Sequence, residues 1–134
     1  MTRNNDKFAM AARTLIAMLF ILAAARKLMT LQANIKYFGS LGIPMPELVT
    51  PLTCGFEILA GIILIVGWRV QIAAGMLALF TLATALIGHQ FWAVEAAQFN
   101  GQFYNFLKNV AVVGGLLMVI LYDRAQDRPA RGNR

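Results

Sequence analysis

The sequence predicts an all-α membrane protein built as a bundle of four transmembrane helices. Of its 134 residues, 59% are hydrophobic and only 13% are charged, whereas soluble domains carry roughly 25% charged residues. Four apolar runs lie at about residues 8–29, 47–67, 70–92 and 104–122. Each has the roughly 20 residues that a helix needs to cross the hydrocarbon core. None alternates with period two, so helices are favoured over strands, and residues 1–122 form one membrane domain.

The segments between the helices are predicted from their residue types. Residues 30–51 hold prolines and glycines that interrupt helices, while LQANIKYF (31–38) predicts a short interfacial helix. Arg69 alone separates the second and third helices, which predicts antiparallel neighbours. Residues 95–102 predict a polar loop, and residues 123–134 a basic, disordered cytoplasmic tail.

An alternative interpretation makes the first run a cleaved leader that ends at Ala23-Ala24-Ala25. Arg13 interrupts the apolar run, however, and Asp6 precedes it where a leader carries only basic residues. A retained first helix is therefore expected.

Basic residues predict the orientation in a bacterial inner membrane. With both termini in the cytoplasm, seven basic residues lie inside the cell and three lie outside it. The inside set is Arg3, Lys7, Arg69, Arg124, Arg128, Arg131 and Arg134, and the outside set is Arg26, Lys27 and Lys36. This bias favours cytoplasmic termini. The net charge of +6 is accordingly interpreted as topology and attraction to lipid headgroups, and not as nucleic-acid binding.

Ionisable side chains occur within every predicted span, although a central charge costs roughly 2.5–3.5 kcal/mol. Helical projection places these charges on faces that also carry small residues, so they should point into the bundle. Glu57 is expected in an inward-facing polar cluster in the outer half of the bundle. Lys108 is its expected partner, with His89 or Lys27 close enough to join, while Arg13 lies well inward.

Five sequence segments together resemble the DoxX family of small four-helix bacterial membrane proteins. They are ARTLIAMLFILAAARKL (12–28), LGIPMPEL (41–48), FEILAGIILIVGWR (56–69), ALIGHQFW (85–92) and FLKN (106–109). The matching positions are Arg13, Lys27, Gly42, Pro44, Glu57, Gly61, Gly67, Arg69, His89, Lys108 and Asn109. The departure is Arg26, where glycine is commoner in the family.

The resemblance implies a role in a membrane redox system, either quinone-linked or linked to thiols and oxidant stress. In this hypothesis the cluster binds a quinone headgroup, with His89 or Lys108 donating to a carbonyl and Glu57 handling a proton. Arg13, Lys27 and Asn109 are the further candidates for ligand binding. Two alternatives stay open: a scaffold that anchors a soluble partner without chemistry and, less favoured, a small-solute transporter, since no broken helices at matching positions are evident.

The sequence contains few side chains that could carry out redox or metal chemistry. Cys54 is the single cysteine, which excludes an intrachain disulfide, and it is interpreted as a small packing residue. His89 is the single histidine, so a bis-histidine haem cannot be built. The sequence predicts no metal site, no nucleotide loop and no cofactor beyond a bound quinone. Whether the chain is an enzyme, which redox partner it has and whether it forms a homo-oligomer stay open.

Overall fold

Five α-helices make up the computed structural model, which describes residues 3–127. They are α1 (Arg3–Met29), α2 (Leu31–Ser40), α3 (Pro46–Val66), α4 (Val70–Gly88) and α5 (Ala96–Asp127), with a 3-10 turn at Phe91–Ala93. Within this range there are no strands. Four of the helices are long and apolar enough to cross a membrane. The predicted all-α bundle with four candidate spans is therefore confirmed, and α2 matches the short helix predicted at residues 31–38.

The long helices form a ring in which α1 contacts α3 and α5, and α4 contacts α3 and α5. Over residues 3–127, the diagonal pairs α1 with α4 and α3 with α5 have no Cα atoms within 8 Å of each other. Because successive long helices run antiparallel, one end of the bundle carries α2 and the other carries the first and last described residues. These are called the α2 end and the termini end below.

Small residues allow the helices to approach closely. The buried core consists mostly of alanine and leucine: Ala17, Phe20, Ala60, Leu64, Val70, Ala74, Leu77, Ala78, Leu116 and Val119. Large apolar side chains instead cover the outside, including Leu59, Leu79 and Met118, each more than half exposed. Soluble monomers rarely expose so much apolar surface, so this exterior fits a surrounding of lipid.

The boundaries of the helices have local causes. Pro46 begins α3, where its missing N–H is not needed. Gly67 ends α3 in the left-handed region, with φ of 83° and its N–H donating to the carbonyl of Ile63 at 3.0 Å. Arg69 also has a positive φ, of 48°. The tight turn therefore spans residues 67–69 and is not made by Arg69 alone.

Two predicted irregular segments are helical. The expected polar loop at residues 95–102 was wrong from Ala96 onward, because α5 begins there. The expected disordered tail was wrong over residues 123–127, because α5 continues to Asp127. Polar residues indicate where a chain leaves the hydrocarbon region, but they do not by themselves end a helix, and no proline interrupts residues 95–127. Residues 128–134 of the expected tail lie outside the described residues.

Gly61 sets the spacing between α1 and α3. A Cβ at Gly61 would lie 2.8 Å from Cγ1 of Ile21 and 3.3 Å from the carbonyl oxygen of Ala17. We expect Gly61→Ala to lower stability by about 1–3 kcal/mol, because the helix backbones must separate. Thermal unfolding in detergent measures the loss. Gly55→Ala in the same helix is the matched control, since a Cβ there meets nothing within 4 Å. Equal stability of the two variants would contradict this packing.

Candidate ligand-binding site

Glu57 forms an ion pair with Lys27 inside the bundle. Lys27 Nζ lies 2.5 Å from Glu57 Oε2, and the two side chains are 22% and 5% exposed. The sequence expectation that Lys108 is the partner was wrong. Lys27 lies on α1, which packs beside α3, whereas Lys108 lies on α5, diagonally opposite α3. The predicted inward direction of Glu57 is confirmed by its burial.

A cavity of about 420 Å³ lies beside this ion pair at the α2 end of the bundle. We call it the α2-side cavity. Five of the six predicted site residues line it: Lys27, Glu57, His89, Lys108 and Asn109. They come from α1, α3, α5 and the residue that follows α4. Apolar side chains, including Phe20, Phe80 and Val112, form much of the remaining wall.

The polar groups of the cavity differ in how far their hydrogen-bonding capacity is used. Glu57 takes one of the three N–H donors of the Lys27 ammonium. In the tautomer with hydrogen on Nδ1, His89 donates to Oε1 of Gln102 at 2.9 Å. Lys108 is exposed and donates to Oδ1 of Asn105 at 3.2 Å. The ammonium groups of Lys27 and Lys108 thus each retain donors for a ligand.

The short helix α2 lies over the cavity, and this cover was missed by sequence reasoning. The hydroxyl of Tyr37 donates to the carbonyl of Gly88 at the end of α4, at 2.5 Å. Asn34 donates to the carbonyl of Lys27 at 3.3 Å. Both residues line the cavity, together with Thr53 and Thr84. The short helix predicted at residues 31–38 was the available signal, but none of its residues was assigned to the site.

Arg13 lies away from these residues, at the termini end. It shares a helix face with Lys27, but the 14 residues between them span about 21 Å at 1.5 Å per residue. Its guanidinium lies against Gly67, where a Cβ would be 3.2 Å from one of its terminal nitrogens. Gly67 ends α3, and the C-terminal end of a helix carries a partial negative charge that favours a nearby cation. Arg13 thus lies toward the opposite end of the bundle from Glu57, as expected, and it does not line the α2-side cavity.

Cys54 is fully buried on α3, one turn before Glu57, and is a free thiol. Its burial agrees with the interpretation as a packing residue. Such a thiol is shielded from solvent, so it does not supply exchange chemistry to the cavity.

The fold and the cavity together define a small polytopic membrane protein with an internal ionisable site. Residues 8–90 match the sequence model of the DoxX family. The match covers more than half of the chain, and the chain therefore belongs to the DoxX family.

Two relatives from Escherichia coli strain K12 extend over most of the chain. The inner membrane protein YphA is 31% identical over 110 residues, which cover 82% of this chain and 79% of the relative. The inner membrane protein YqjF is 27% identical over 121 residues, which cover 90% and 88%. No solved structure matches the chain significantly.

Proposed function

We propose that the α2-side cavity binds a quinone headgroup and that the chain is a subunit or accessory of a membrane redox system. The observation that carries this proposal is the buried Lys27–Glu57 pair at the wall of a largely apolar cavity. A buried charge pair costs desolvation energy, and apolar residues of similar volume often replace it without loss of stability. Its position beside a cavity therefore favours a role in ligand binding over one in packing.

The cavity suits a flat ring with polar oxygens at its edge. Its volume of about 420 Å³ falls within the roughly 300–1,000 Å³ of small-molecule pockets. Lys27 and Lys108 approach from different helices, so their ammonium groups can donate to carbonyl oxygens on different sides of one ring. Asn109 lies next to Lys108 on α5 and supplies a further amide.

Glu57 has the position of a proton-handling group. A quinone, when bound, supplies two-electron chemistry that requires two protons. The Glu57 carboxylate is held by Lys27 and faces the cavity, so a proton can pass between it and a ligand oxygen. We assign the electrons to a redox partner in or at the membrane, because the only thiol, Cys54, is buried.

We place the chain in a bacterial inner membrane, as its two relatives are named inner membrane proteins. The excess of basic residues supports cytoplasmic termini. In this orientation the α2-side cavity lies in the periplasmic half of the bundle.

Titration with a short-chain ubiquinone tests the proposal. Trp92, three residues after the cavity residue His89, is 57% exposed and reports binding through its fluorescence. We expect saturable quenching, and Lys108→Met should weaken binding about tenfold, as for loss of one charge-assisted hydrogen bond. Lys36→Met is the matched control, since Lys36 lies on α2 and does not line the cavity. Quenching without saturation, or equal losses in both variants, would support a scaffold without a ligand site.

A further inference from the structure

A second cavity, of about 760 Å³, lies between α1 and α5 at the termini end of the bundle. We call it the termini-side cavity. It is separate from the α2-side cavity, and the residues that line the two are different. Its polar lining comes from Asp6 and Arg13 on α1 and from Tyr122, Asp123 and Gln126 on α5.

Two hydrogen-bond donors in this cavity lack acceptors. Nε of Arg13 and the hydroxyl of Tyr122 are buried and have no hydrogen-bond partner among the described residues. Buried polar atoms are nearly always paired, so two unpaired donors beside one cavity are unusual. Both side chains line the same cavity, so one ligand with an anionic oxygen can satisfy both donors once the side chains turn toward it.

The two carboxylates of the cavity are not neutralised by Arg13. Asp6 accepts from Nε2 of Gln126 at 3.0 Å, and Asp123 accepts from Nε2 of Gln71 at 3.1 Å. Among the described side chains, Lys27–Glu57 is the one ion pair within 4 Å. The termini-side cavity therefore holds a guanidinium and two carboxylates as separated charges, which complements a ligand that carries both signs.

The lining changes in character along the bundle axis. Ile16 and Gly115 lie deepest and are apolar, and Arg13 and Tyr122 follow toward the termini end. Asp6 lies seven residues before Arg13 on the same helix, about 10 Å further out. From the bundle centre outward, the lining is first apolar and then carries the Arg13 guanidinium, and the Asp6 carboxylate follows beyond apolar Phe8, Ala9 and Ala12.

We propose that the termini-side cavity binds a phospholipid with a phosphate and a primary ammonium group. Its acyl chains follow Ile16 and Gly115, its phosphate accepts from Arg13 and Tyr122, and its ammonium donates to Asp6 and Asp123. The order of groups in such a lipid, from chain to phosphate to ammonium, is the order of the lining. Arginine suits the phosphate because its planar donors match two oxygens.

Native mass spectrometry of the full chain in detergent tests this site. The probes are phosphatidylethanolamine, phosphatidylglycerol, which lacks an amine, phosphatidylcholine, which lacks N–H donors, and tail-free glycerophosphoethanolamine. We expect phosphatidylethanolamine to bind several-fold more tightly than the other two lipids. Tyr122→Phe and Arg13→Gln should each weaken it about tenfold or more. Lys7→Gln removes a charge at the same end without touching the cavity and should leave binding unchanged.

Tyr122→Phe keeps the test decisive if Arg13→Gln does not fold, because the hydroxyl has no partner to lose in the free protein. Equal binding of phosphatidylethanolamine and phosphatidylglycerol would overturn the proposal, as would an unchanged affinity in Tyr122→Phe. Competition by glycerophosphoethanolamine at concentrations similar to the lipid would overturn a membrane lipid as the source and indicate a free phosphodiester.

Discussion

Lys27→Met is expected to destabilise the protein more than any other single substitution of a charged residue considered above. It leaves the Glu57 carboxylate, whose side chain is only 5% exposed, without its cation. Removing one partner of a buried ion pair costs about 3–5 kcal/mol. Glu57→Met should cost less, since the Lys27 side chain is 22% exposed and its ammonium can reach solvent or headgroups.

The double variant Lys27→Met/Glu57→Met identifies the partner. Both charges are then replaced by flexible apolar side chains of similar volume, so most of the lost stability should return. Glu57→Met/Lys108→Met should show no such recovery, because Lys108 bonds to Asn105 and not to Glu57. Thermal unfolding in detergent gives the coupling energy, expected at about 1–3 kcal/mol for the first pair. Recovery in the second pair instead would show that Lys108 is the partner.

The architecture could be predicted from the sequence because the membrane imposes lengths and periodicity. Helix α3 was predicted at about residues 47–67 and runs from Pro46 to Val66. The start of α5 was missed because residues 95–102 are polar. Polarity indicates that a segment leaves the membrane core, but it does not indicate whether that segment is helical. By contrast, the turn that contains Gly67 and Arg69, both with positive φ, lies where the sequence predicted a short connection between two helices.

The sequence predicted which residues belong to the site, but not which of them form the ion pair. Projection onto helices gave the inward faces, and five of the six chosen side chains do line one cavity. The pairing depends on which helices are neighbours around the ring, and depth along the membrane normal carries no such information. Lys108 was therefore predicted as the partner of Glu57, whereas the partner in the structure is Lys27 on the adjacent helix.

The two unpaired donors, on Arg13 and Tyr122, could not be predicted from the sequence either. Nothing in the residues next to Tyr122 in the sequence indicates that its hydroxyl is buried without a partner. Such a feature arises only when α1 and α5 are placed side by side.

The second large effect is expected on ligand binding, and it separates a ligand site from a structural ion pair. Lys27→Met/Glu57→Met should fold, yet it lacks the ammonium donor and the carboxyl group that face the cavity. Hydrogen bonds to charged groups contribute about 1.5–3 kcal/mol, so their loss should weaken quinone binding by roughly 10- to 100-fold. Lys36→Met again serves as control, because its lysine lies on α2 outside the cavity lining.

The most direct measurement is therefore the quinone dissociation constant of this folded double variant beside that of the native protein. We expect saturable binding to the native protein, near-native binding to Lys36→Met, and a loss of at least tenfold in the double variant. A double variant that is as stable as the native protein and binds the quinone equally well would contradict it, and would leave Lys27 and Glu57 with a purely structural role.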